Sequence, residues 1–253
     1  MLVNTIKTDS LTTYVYDTRD AMGQAAGKAA AEAINRVLAE KETANVIFAA
    51  APSQNETLEA LLNEVVDFSR INAFHMDEYV GLGLADKQSF ASYLTEHIFS
   101  RANFRSVHLI PATEEAETAC KLYTELLTQN PPDVVLMGIG ENGHIAFNDP
   151  PVADFKDTKV IKIVELDEIC RQQQVHDKCF ETLEQVPKYA LTLTVPTLMS
   201  AGALICTVPG PTKAAAVRAM LQGSIGEACP ATALRLHNHA NMYLDKASAQ
   251  EVL

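Results

Sequence analysis

The alternation of short apolar runs with helical patterns constrains the fold of this chain more than any other feature. The segments Ala44–Ala51 and Asp133–Ile139 are short and almost continuously apolar, as expected of strands buried on both faces of a parallel sheet. Residues 20–40 instead carry apolar side chains at helical spacing, with Thr18 or Asp20 as the candidate N-cap. This alternation predicts an α/β fold with a mostly parallel sheet that is covered on both faces.

The same patterns predict the remaining elements. Further strands are expected at 71–76, 107–110, 159–164, 190–195, 203–208 and 241–244. Further helices are expected at 56–66, 89–101, 114–129, 168–177 and 212–222. Neither a low-complexity linker nor an internal repeat interrupts them, so a single domain over residues 1–253 is the simplest organisation.

Charge and cysteine usage exclude several functional classes. The net charge of −12 argues against partners that present phosphate backbones or anionic membrane surfaces, because both require clustered lysine and arginine. The five cysteines are dispersed and form no Cys-x-x-Cys pair, which favours a reducing compartment over a disulfide framework. With neither a signal peptide nor an apolar stretch near the ~20 residues of a membrane span, we expect a cytoplasmic protein.

Three loops that follow predicted strands carry unusual residues. In open α/β sheets, ligands bind beyond the carboxyl ends of the strands, where such loops lie. The three candidates are Pro52–Thr57, Met76–Gly83 and Gly138–Pro151.

Two adjacent carboxylates, Asp77 and Glu78, stand at the carboxyl end of the strand at 71–76. Neighbouring side chains of an extended segment point in opposite directions, so only one of them faces a given pocket and the other supports it. A carboxylate in such a cleft can remove a proton next to a carbonyl group. Taken alone, an Asp-Glu pair after a strand can also be a plain turn or the start of a helix. We take Asp77 as the catalytic candidate and Glu78 as a substrate-binding candidate.

The segment Gly138–Pro151 has the richest chemistry in the chain. Its glycines, Gly143 among them, let the backbone approach a ligand closely, and His144 can shuttle protons near neutral pH. Asp149 follows five residues later and could orient the imidazole. Glycines with the spacing of a dinucleotide-binding loop occur here, but no clean helix follows them, which argues against a nicotinamide cofactor.

Basic residues are sparse, so their positions are informative. Lys213 stands where a helix begins after a strand, a place that suits a phosphate group, and Arg171 opens a polar run. A solvated surface lysine is the alternative for Lys213. The sequence lacks a Walker loop, a nucleophile elbow and a histidine ligand cluster on one helix, so we expect neither a cofactor nor a metal.

Three segments resemble one known family. Phe74–Gly81, Gly143–Pro150 and Val186–Thr192 match glucosamine-6-phosphate deaminases/isomerases in order and spacing, and the resemblance covers nearly the whole chain. Galactosamine-6-phosphate isomerases and 6-phosphogluconolactonases are more distantly similar. The resemblance implies a Rossmann-like three-layer sandwich and a metal-free conversion of an amino-sugar phosphate and water into a ketose phosphate and ammonia.

Roles for individual residues also follow from the resemblance. Asp77 would transfer a proton between carbons 2 and 1 of the sugar, and His144 would open the pyranose ring. Asn142 and Asp149 would flank His144 as further members of the catalytic set. Arg171 and Lys213 would hold the phosphate of a small-molecule sugar phosphate. Self-association into a homo-oligomer is left open.

The chain departs from the family pattern at the loop Ala51–Thr57. Relatives usually have a Pro-Thr-Gly-Gly-Thr-Pro-like loop here, whereas this chain places Glu56 in it, and a carboxylate beside a phosphate dianion is unfavourable. Either Glu56 turns away while Ser53 and Asn55 donate, or the substrate is not the usual 6-phosphate. Asn142 and Asp149 also stand where relatives usually have an acidic residue and a glutamate.

Two alternatives to the deaminase reaction stay open at this point. A 6-phosphogluconolactonase-type hydrolase needs no carbon base, so Asp77 would be superfluous in it. A sugar-phosphate-binding protein that has lost turnover would account for Asn142 and the altered loop.

Overall fold

The computed structural model describes residues 1–176 and 178–253. Eleven strands are found among these residues: β1 (Leu2–Thr8), β2 (Leu11–Tyr16), β3 (Ala44–Phe48), β4 (Ile71–His75), β5 (Asp77–Tyr79), β6 (Ser106–His108), β7 (Val134–Met137), β8 (Ile161–Glu165), β9 (Tyr189–Leu193), β10 (Ala203–Val208) and β11 (Ala240–Asp245). Eight of them form one sheet in the order β1-β2-β11-β10-β7-β3-β4-β6. The pairing is parallel except between β1 and β2, which confirms the predicted mostly parallel sheet.

Helices flank this sheet. They are α1 (Arg19–Glu40), α2 (Asn55–Leu62), α3 (Phe90–Leu94), α4 (Ala116–Gln129), α5 (Glu168–His176), α6 (Val195–Met199) and α7 (Ala214–Gln222). Short 3-10 turns at Pro52–Gln54 and Pro211–Lys213 lead directly into α2 and α7. The last residue of the helix predicted at 168–177 lies outside the described residues.

The strands of the sheet centre bury both of their faces. Ile47 and Val135 belong to the apolar cluster on one side of the sheet, whereas Phe48 and Leu136 belong to the cluster on the other. This alternation is the consequence of the two-residue period of a strand. It explains why β3 and β7 appear in the sequence as continuous apolar runs, and it confirms the three-layer α/β architecture.

The strand order reverses between β3 and β7. From β3 the chain continues outward through β4 and β6, and from β7 it continues to the opposite side through β10 and β11. The loops that leave β3 and β7 therefore diverge and open a crevice at their carboxyl ends, where ligands of such sheets bind.

Several predicted elements require correction. The N-terminal hairpin of β1 and β2 was not predicted. The predicted strands at 159–164 and 190–195 are found as β8 and β9, but they lie in a separate antiparallel sheet together with β5. The helix predicted at 56–66 ends at Leu62, and the one predicted at 89–101 continues beyond Leu94 as a π-helical segment, Thr95–Phe99.

Within the described part of the chain, no helix has the length and apolarity that crossing a membrane requires.

Candidate active site

A cavity of ≈ 210 Å³ opens at the carboxyl edge of the main sheet. The loops that leave four neighbouring strands, β3, β4, β7 and β10, form most of its wall. The polar side chains that line it are Arg19, Ser53, Asp77, His144, Gln173, Gln174, Thr212 and Lys213. The cavity thus occupies the crevice that the topology creates, and it brings together Asp77, His144, Ser53 and Lys213 of the predicted site.

Asp77 is the first residue of β5 and pairs with Thr192 in the small antiparallel sheet. Its side chain lines the cavity but is only 7% exposed. Burial, and to a lesser extent the adjacent Glu78 carboxylate, raise the pKa of Asp77 well above its usual range. A carboxylate with a raised pKa is a stronger base than one in water, which suits proton abstraction near neutral pH.

Glu78 faces away from the cavity, and its predicted role in substrate binding is corrected here. The carboxylate is fully buried and accepts hydrogen bonds from the backbone N–H groups of Phe90 and Ala91, at 3.1 and 2.8 Å. Burial raises the pKa of Glu78 to about 7, although these hydrogen bonds oppose the rise. Glu78 therefore anchors the start of α3 behind Asp77, which is the supporting position expected for one member of the pair.

His144 lies in a tight loop after β7. The loop is closed by a hydrogen bond of 2.9 Å from the Gly140 N–H to the His144 carbonyl. The imidazole packs directly on Gly140, where an added Cβ would lie 2.1 Å from His144 Cε1. Gly140 is therefore the residue whose missing side chain makes room for the ring.

Gly143 shapes this loop from outside the cavity. Its φ is +82°, a value that favours glycine, and an added Cβ would meet Cys229 Sγ at 2.6 Å. Gly143 does not line the cavity, so its predicted contact with substrate is corrected to a conformational role.

Asp149 and Asn142 surround His144 from behind. Asp149 Oδ1 lies 2.9 Å from His144 Nδ1, and it also accepts a 2.8 Å hydrogen bond from the Asn142 side-chain amide. The Asn142 side-chain oxygen Oδ1 accepts a hydrogen bond from the His144 backbone N–H at 3.0 Å. Burial favours the neutral acid, but the contacts with His144, Asn142 and Cys170 outweigh it and lower the pKa of Asp149. The carboxylate is thus held ionised where it can orient and charge-stabilise the imidazole.

The end of the cavity beside the turns Pro52–Gln54 and Pro211–Lys213 is lined partly by predicted residues and partly by one that the sequence did not indicate. Ser53 and Lys213 line the cavity as predicted, each in a 3-10 turn that opens a helix. Asn55 does not line it; its side-chain oxygen accepts a hydrogen bond from the Tyr93 hydroxyl instead. The predicted contacts of Asn55 with phosphate are therefore not supported.

Arg171 is also displaced from its predicted role. Its guanidinium donates to the carbonyl oxygens of Leu183 and Val186, at 2.6 and 3.0 Å, and it does not line the cavity. Arg19, at the start of α1, occupies the cavity wall. Arg19 follows the loop that leaves β2 and opens α1, and it was missed because β2 was not among the predicted strands.

Comparison with known proteins agrees with the geometry of the site. The family described as "Glucosamine-6-phosphate isomerases/6-phosphogluconolactonase" matches residues 17–243. The glucosamine-6-phosphate deaminase of Bacillus thuringiensis (strain Al Hakam) is 34% identical over 214 residues, which cover 84% of this chain and 80% of that protein. The chain belongs to this family.

Solved structures extend the comparison to the fold. A monomeric glucosamine-6-phosphate deaminase of the NagB superfamily superposes with a TM-score of 0.85 at 30% identity, covering 94% of this chain and 99% of that one. The 6-phosphogluconolactonase of Trypanosoma brucei superposes with a TM-score of 0.80 at 19% identity, covering 99% and 100%, and shows a shared fold alone. The family resemblance and the Rossmann-like three-layer architecture are therefore confirmed.

One group of side chains in this family member has the composition of a metal site. The ligand atoms of His144, Asp149 and Cys170 lie within 4.8 Å of one another. In the protein as it stands, burial and the neighbouring Asp149 raise the pKa of the Cys170 thiol well above its usual range. Because His144 and Asp149 already contact each other directly, a proton-handling pair accounts for this cluster better than a metal centre.

Proposed function

We propose that this chain converts an amino-sugar 6-phosphate, glucosamine 6-phosphate or its galactosamine epimer, and water into the ketose 6-phosphate and ammonia. One observation carries the proposal: a buried carboxylate, Asp77, and an imidazole backed by a carboxylate, His144 with Asp149, face the same cavity. A base for carbon and a proton carrier for oxygen are the two groups that this reaction requires. The similarity to glucosamine-6-phosphate deaminases supports the choice of substrate.

His144 opens the sugar ring in this proposal. The imidazole takes the proton of the 1-hydroxyl and returns one to the ring oxygen, which leaves the open-chain aldehyde. Asp149, 2.9 Å from Nδ1, stabilises the imidazolium that forms between these two transfers. Asn142 holds the Asp149 carboxylate and the backbone of the loop, so the imidazole ring of His144 faces the cavity in one orientation.

Asp77 then moves a proton from carbon 2 to carbon 1. Abstraction at carbon 2 gives an enolamine, and return of the proton to carbon 1 gives the imine of the ketose. Water adds to that imine at carbon 2 and ammonia leaves, so the atoms of sugar phosphate and water are all accounted for. The ammonium group of the substrate places a positive charge near the carboxylate, which ionises Asp77 despite its raised pKa.

The phosphate lies at the other end of the cavity in this proposal. The turns Pro52–Gln54 and Pro211–Lys213 lead into α2 and α7 and line the cavity, so the positive dipole ends of two helices lie beside this end of it. Lys213 adds a positive charge and Ser53 a hydroxyl donor at the same end. An anion held there would leave the sugar carbons between Asp77 and His144.

Ammonia release from the purified protein tests the proposal. Glucosamine 6-phosphate, galactosamine 6-phosphate and unphosphorylated glucosamine are assayed in parallel, with 6-phosphogluconolactone hydrolysis as the competing activity. We expect ammonia from a phosphate ester alone. Lactone hydrolysis without ammonia would favour the hydrolase, and ligand binding without turnover of any substrate would favour a binding protein.

Two variants separate the roles of the catalytic groups. We expect Asp77→Asn to abolish ammonia release while ketose 6-phosphate still binds. We expect His144→Gln to reduce turnover of the cyclic sugar by about 100-fold or more, the usual contribution of a general acid–base, with affinity largely retained. Equal losses in turnover and affinity would contradict the ring-opening role.

A further inference from the structure

Glu56, the carboxylate that conflicts with a phosphate site in the sequence, is paired with Arg19. Glu56 Oε1 lies 2.8 Å from Arg19 Nε, and Glu56 is not part of the cavity wall, whereas Arg19 is. From the sequence, Glu56 could place a negative charge beside the phosphate. In the structure the Glu56 carboxylate instead lies outside the cavity wall, and the Arg19 guanidinium lines the cavity.

Close packing of α1 on α2 builds this pair. An added Cβ at Gly23 would lie 2.3 Å from Glu56 Cβ, and one at Gly27 would lie 2.5 Å from Ala60 Cβ. Arg19, Gly23 and Gly27 are spaced four residues apart and share one face of α1. The two glycines let the helices approach, and Arg19, one turn earlier, is thereby placed beside Glu56.

Two contacts hold the Arg19 side chain at the rim of the cavity. Its Nε faces Glu56, and its Nη2 donates to the carbonyl oxygen of Pro52, in the turn that precedes α2. A guanidinium has five N–H donors, so further donors remain on the terminal nitrogens. The side chain is 40% exposed, which keeps these donors accessible to a ligand.

Arg19 and Lys213 approach the same end of the cavity. Arg19 contacts the turn Pro52–Gln54, and Gln54 in turn bonds to the end of β10, from the Thr207 hydroxyl to Gln54 Oε1 at 3.0 Å. Lys213 follows β10 by one short turn. Over residues 1–176 and 178–253, Arg19 and Lys213 are the lysine and arginine side chains that line this cavity.

We propose that Arg19 is the second cation of the phosphate site, acting with Lys213, and that Glu56 is its positioning residue. This inference rests on the proposed function, because it assumes a phosphorylated ligand. Arg19 takes the place expected for Arg171, whose guanidinium is occupied by the carbonyl oxygens of Leu183 and Val186. A guanidinium can hold a phosphate through two parallel N–H donors, which fixes the orientation of the sugar as well as its charge.

Direct binding of inorganic phosphate tests the assignment independently of turnover. Binding of inorganic phosphate and of the ketose 6-phosphate is measured by calorimetry in the wild type and in Arg19→Gln. We expect the Kd of both ligands to rise by about 10- to 100-fold, the loss of one charge-assisted contact. In the ammonia assay, KM should rise by a similar factor with kcat nearly unchanged, and selectivity over unphosphorylated glucosamine should fall.

Arg101→Gln is the matched control. Arg101 pairs with Glu59 at 2.6 Å, so it makes the same kind of contact with the same helix, α2, but it does not line the cavity. We expect this variant to bind phosphate like the wild type. Equal Kd values for Arg19→Gln, Arg101→Gln and the wild type would overturn the assignment. Where Arg19→Gln fails to fold, Arg19→Lys keeps the charge but lacks the two parallel donors, and an unchanged Kd for inorganic phosphate in this variant would overturn the bidentate role.

Glu56→Gln tests the positioning role. If Glu56 orients Arg19, its loss should weaken phosphate binding by a few-fold. If Glu56 only repels the ligand, its neutralisation should tighten phosphate binding, and that result would overturn the positioning role. Should the wild type bind phosphate but release no ammonia, the proposed function fails, whereas the Kd comparison still decides the role of Arg19.

Discussion

Substitution of Gly140 by alanine should disable the enzyme while leaving its fold intact. The backbone at Gly140 does not have the positive φ that disfavours other residues, so alanine is conformationally acceptable there. Its Cβ, however, would lie 2.1 Å from His144 Cε1 and 2.3 Å from both ring nitrogens. The imidazole is the only part of this contact that can yield, because the loop is closed by the Gly140 to His144 backbone hydrogen bond.

The size of the effect follows from the displacement. Ordinary van der Waals contact begins at 3.4 Å, so the ring must move by 3.4 − 2.1 = 1.3 Å. A misplacement of about 1 Å in a catalytic group costs roughly 100-fold in rate. We therefore expect kcat of Gly140→Ala to fall by about 100-fold or more, which corresponds to about 2.7 kcal/mol of transition-state stabilisation.

Steady-state ammonia release and thermal unfolding of the same preparations measure this effect. Gly226→Ala is the matched control, since an added Cβ there meets nothing within 4 Å and the backbone φ is not positive. Phosphate affinity should be unchanged in both variants, because Gly140 contacts the imidazole and not the anion end. If Gly140→Ala retained more than about a third of the wild-type kcat, the reasoning would be refuted. Either the position of the His144 imidazole would not matter for the rate, or contact with Gly140 would not determine that position.

Three further predictions concern the residues that support the site. Burial raises the pKa of Glu78 from 4.5 to about 7, so between these pH values the folded state holds a proton that the unfolded chain has lost. The unfolding free energy should therefore fall as pH rises from about 4.5 to about 7. Glu78→Gln should reduce this dependence of the unfolding free energy on pH, measured by urea titrations. Thr192→Val removes the acceptor of the buried Phe147 N–H at 3.0 Å and should cost about 1–3 kcal/mol of unfolding free energy, whereas Thr192→Ser should retain most of it. Asn142→Asp places a second carboxylate where the Asn142 amide now lies 2.8 Å from Asp149, which should raise the pKa of Asp149. The acidic limb of the plot of kcat/KM against pH should then shift to higher pH by about one unit or more. An unshifted limb would mean that Asp149 ionisation does not control the rate.

Local patterns predicted the parts of this protein that depend on local physics. β3 and β7 were recognised because a strand buried on both faces must be apolar throughout, and the position of the site followed from the loops that leave them. The strand β2, by contrast, alternates buried and half-buried residues with a period of two, but the polar Thr13 stands on its buried face and interrupts the apolar pattern. β1 is mostly exposed and carries little pattern, so its pairing with β2 could not be inferred from burial.

The errors at Arg171 and Arg19 involve contacts between segments that are separated along the chain. Arg171 was aligned to a phosphate-binding position, but in the folded chain the carbonyl oxygens of Leu183 and Val186 satisfy its guanidinium. Arg19 opens α1 directly after β2, and the close packing of α1 on α2 at two glycines, a contact that the sequence pattern does not show, places it beside Glu56. The sequence identifies which residue types are available for chemistry, whereas tertiary packing decides which of them reach the cavity.

The small antiparallel sheet explains how Asp77 and His144, the two proposed catalytic groups, keep a fixed separation. Asp77 pairs with Thr192 of β9, and the hydroxyl of the same Thr192 accepts the N–H of Phe147 in the His144 loop. Asn148 of that loop also donates to the Leu193 carbonyl at 2.8 Å. One strand therefore holds both Asp77, the proposed carbon base, and the loop of His144, the proposed ring-opening group, although they follow different strands of the main sheet. Because proton transfer depends steeply on distance, a change in β9 should alter ring opening and isomerisation together, whereas a change in either loop alone should affect one step first.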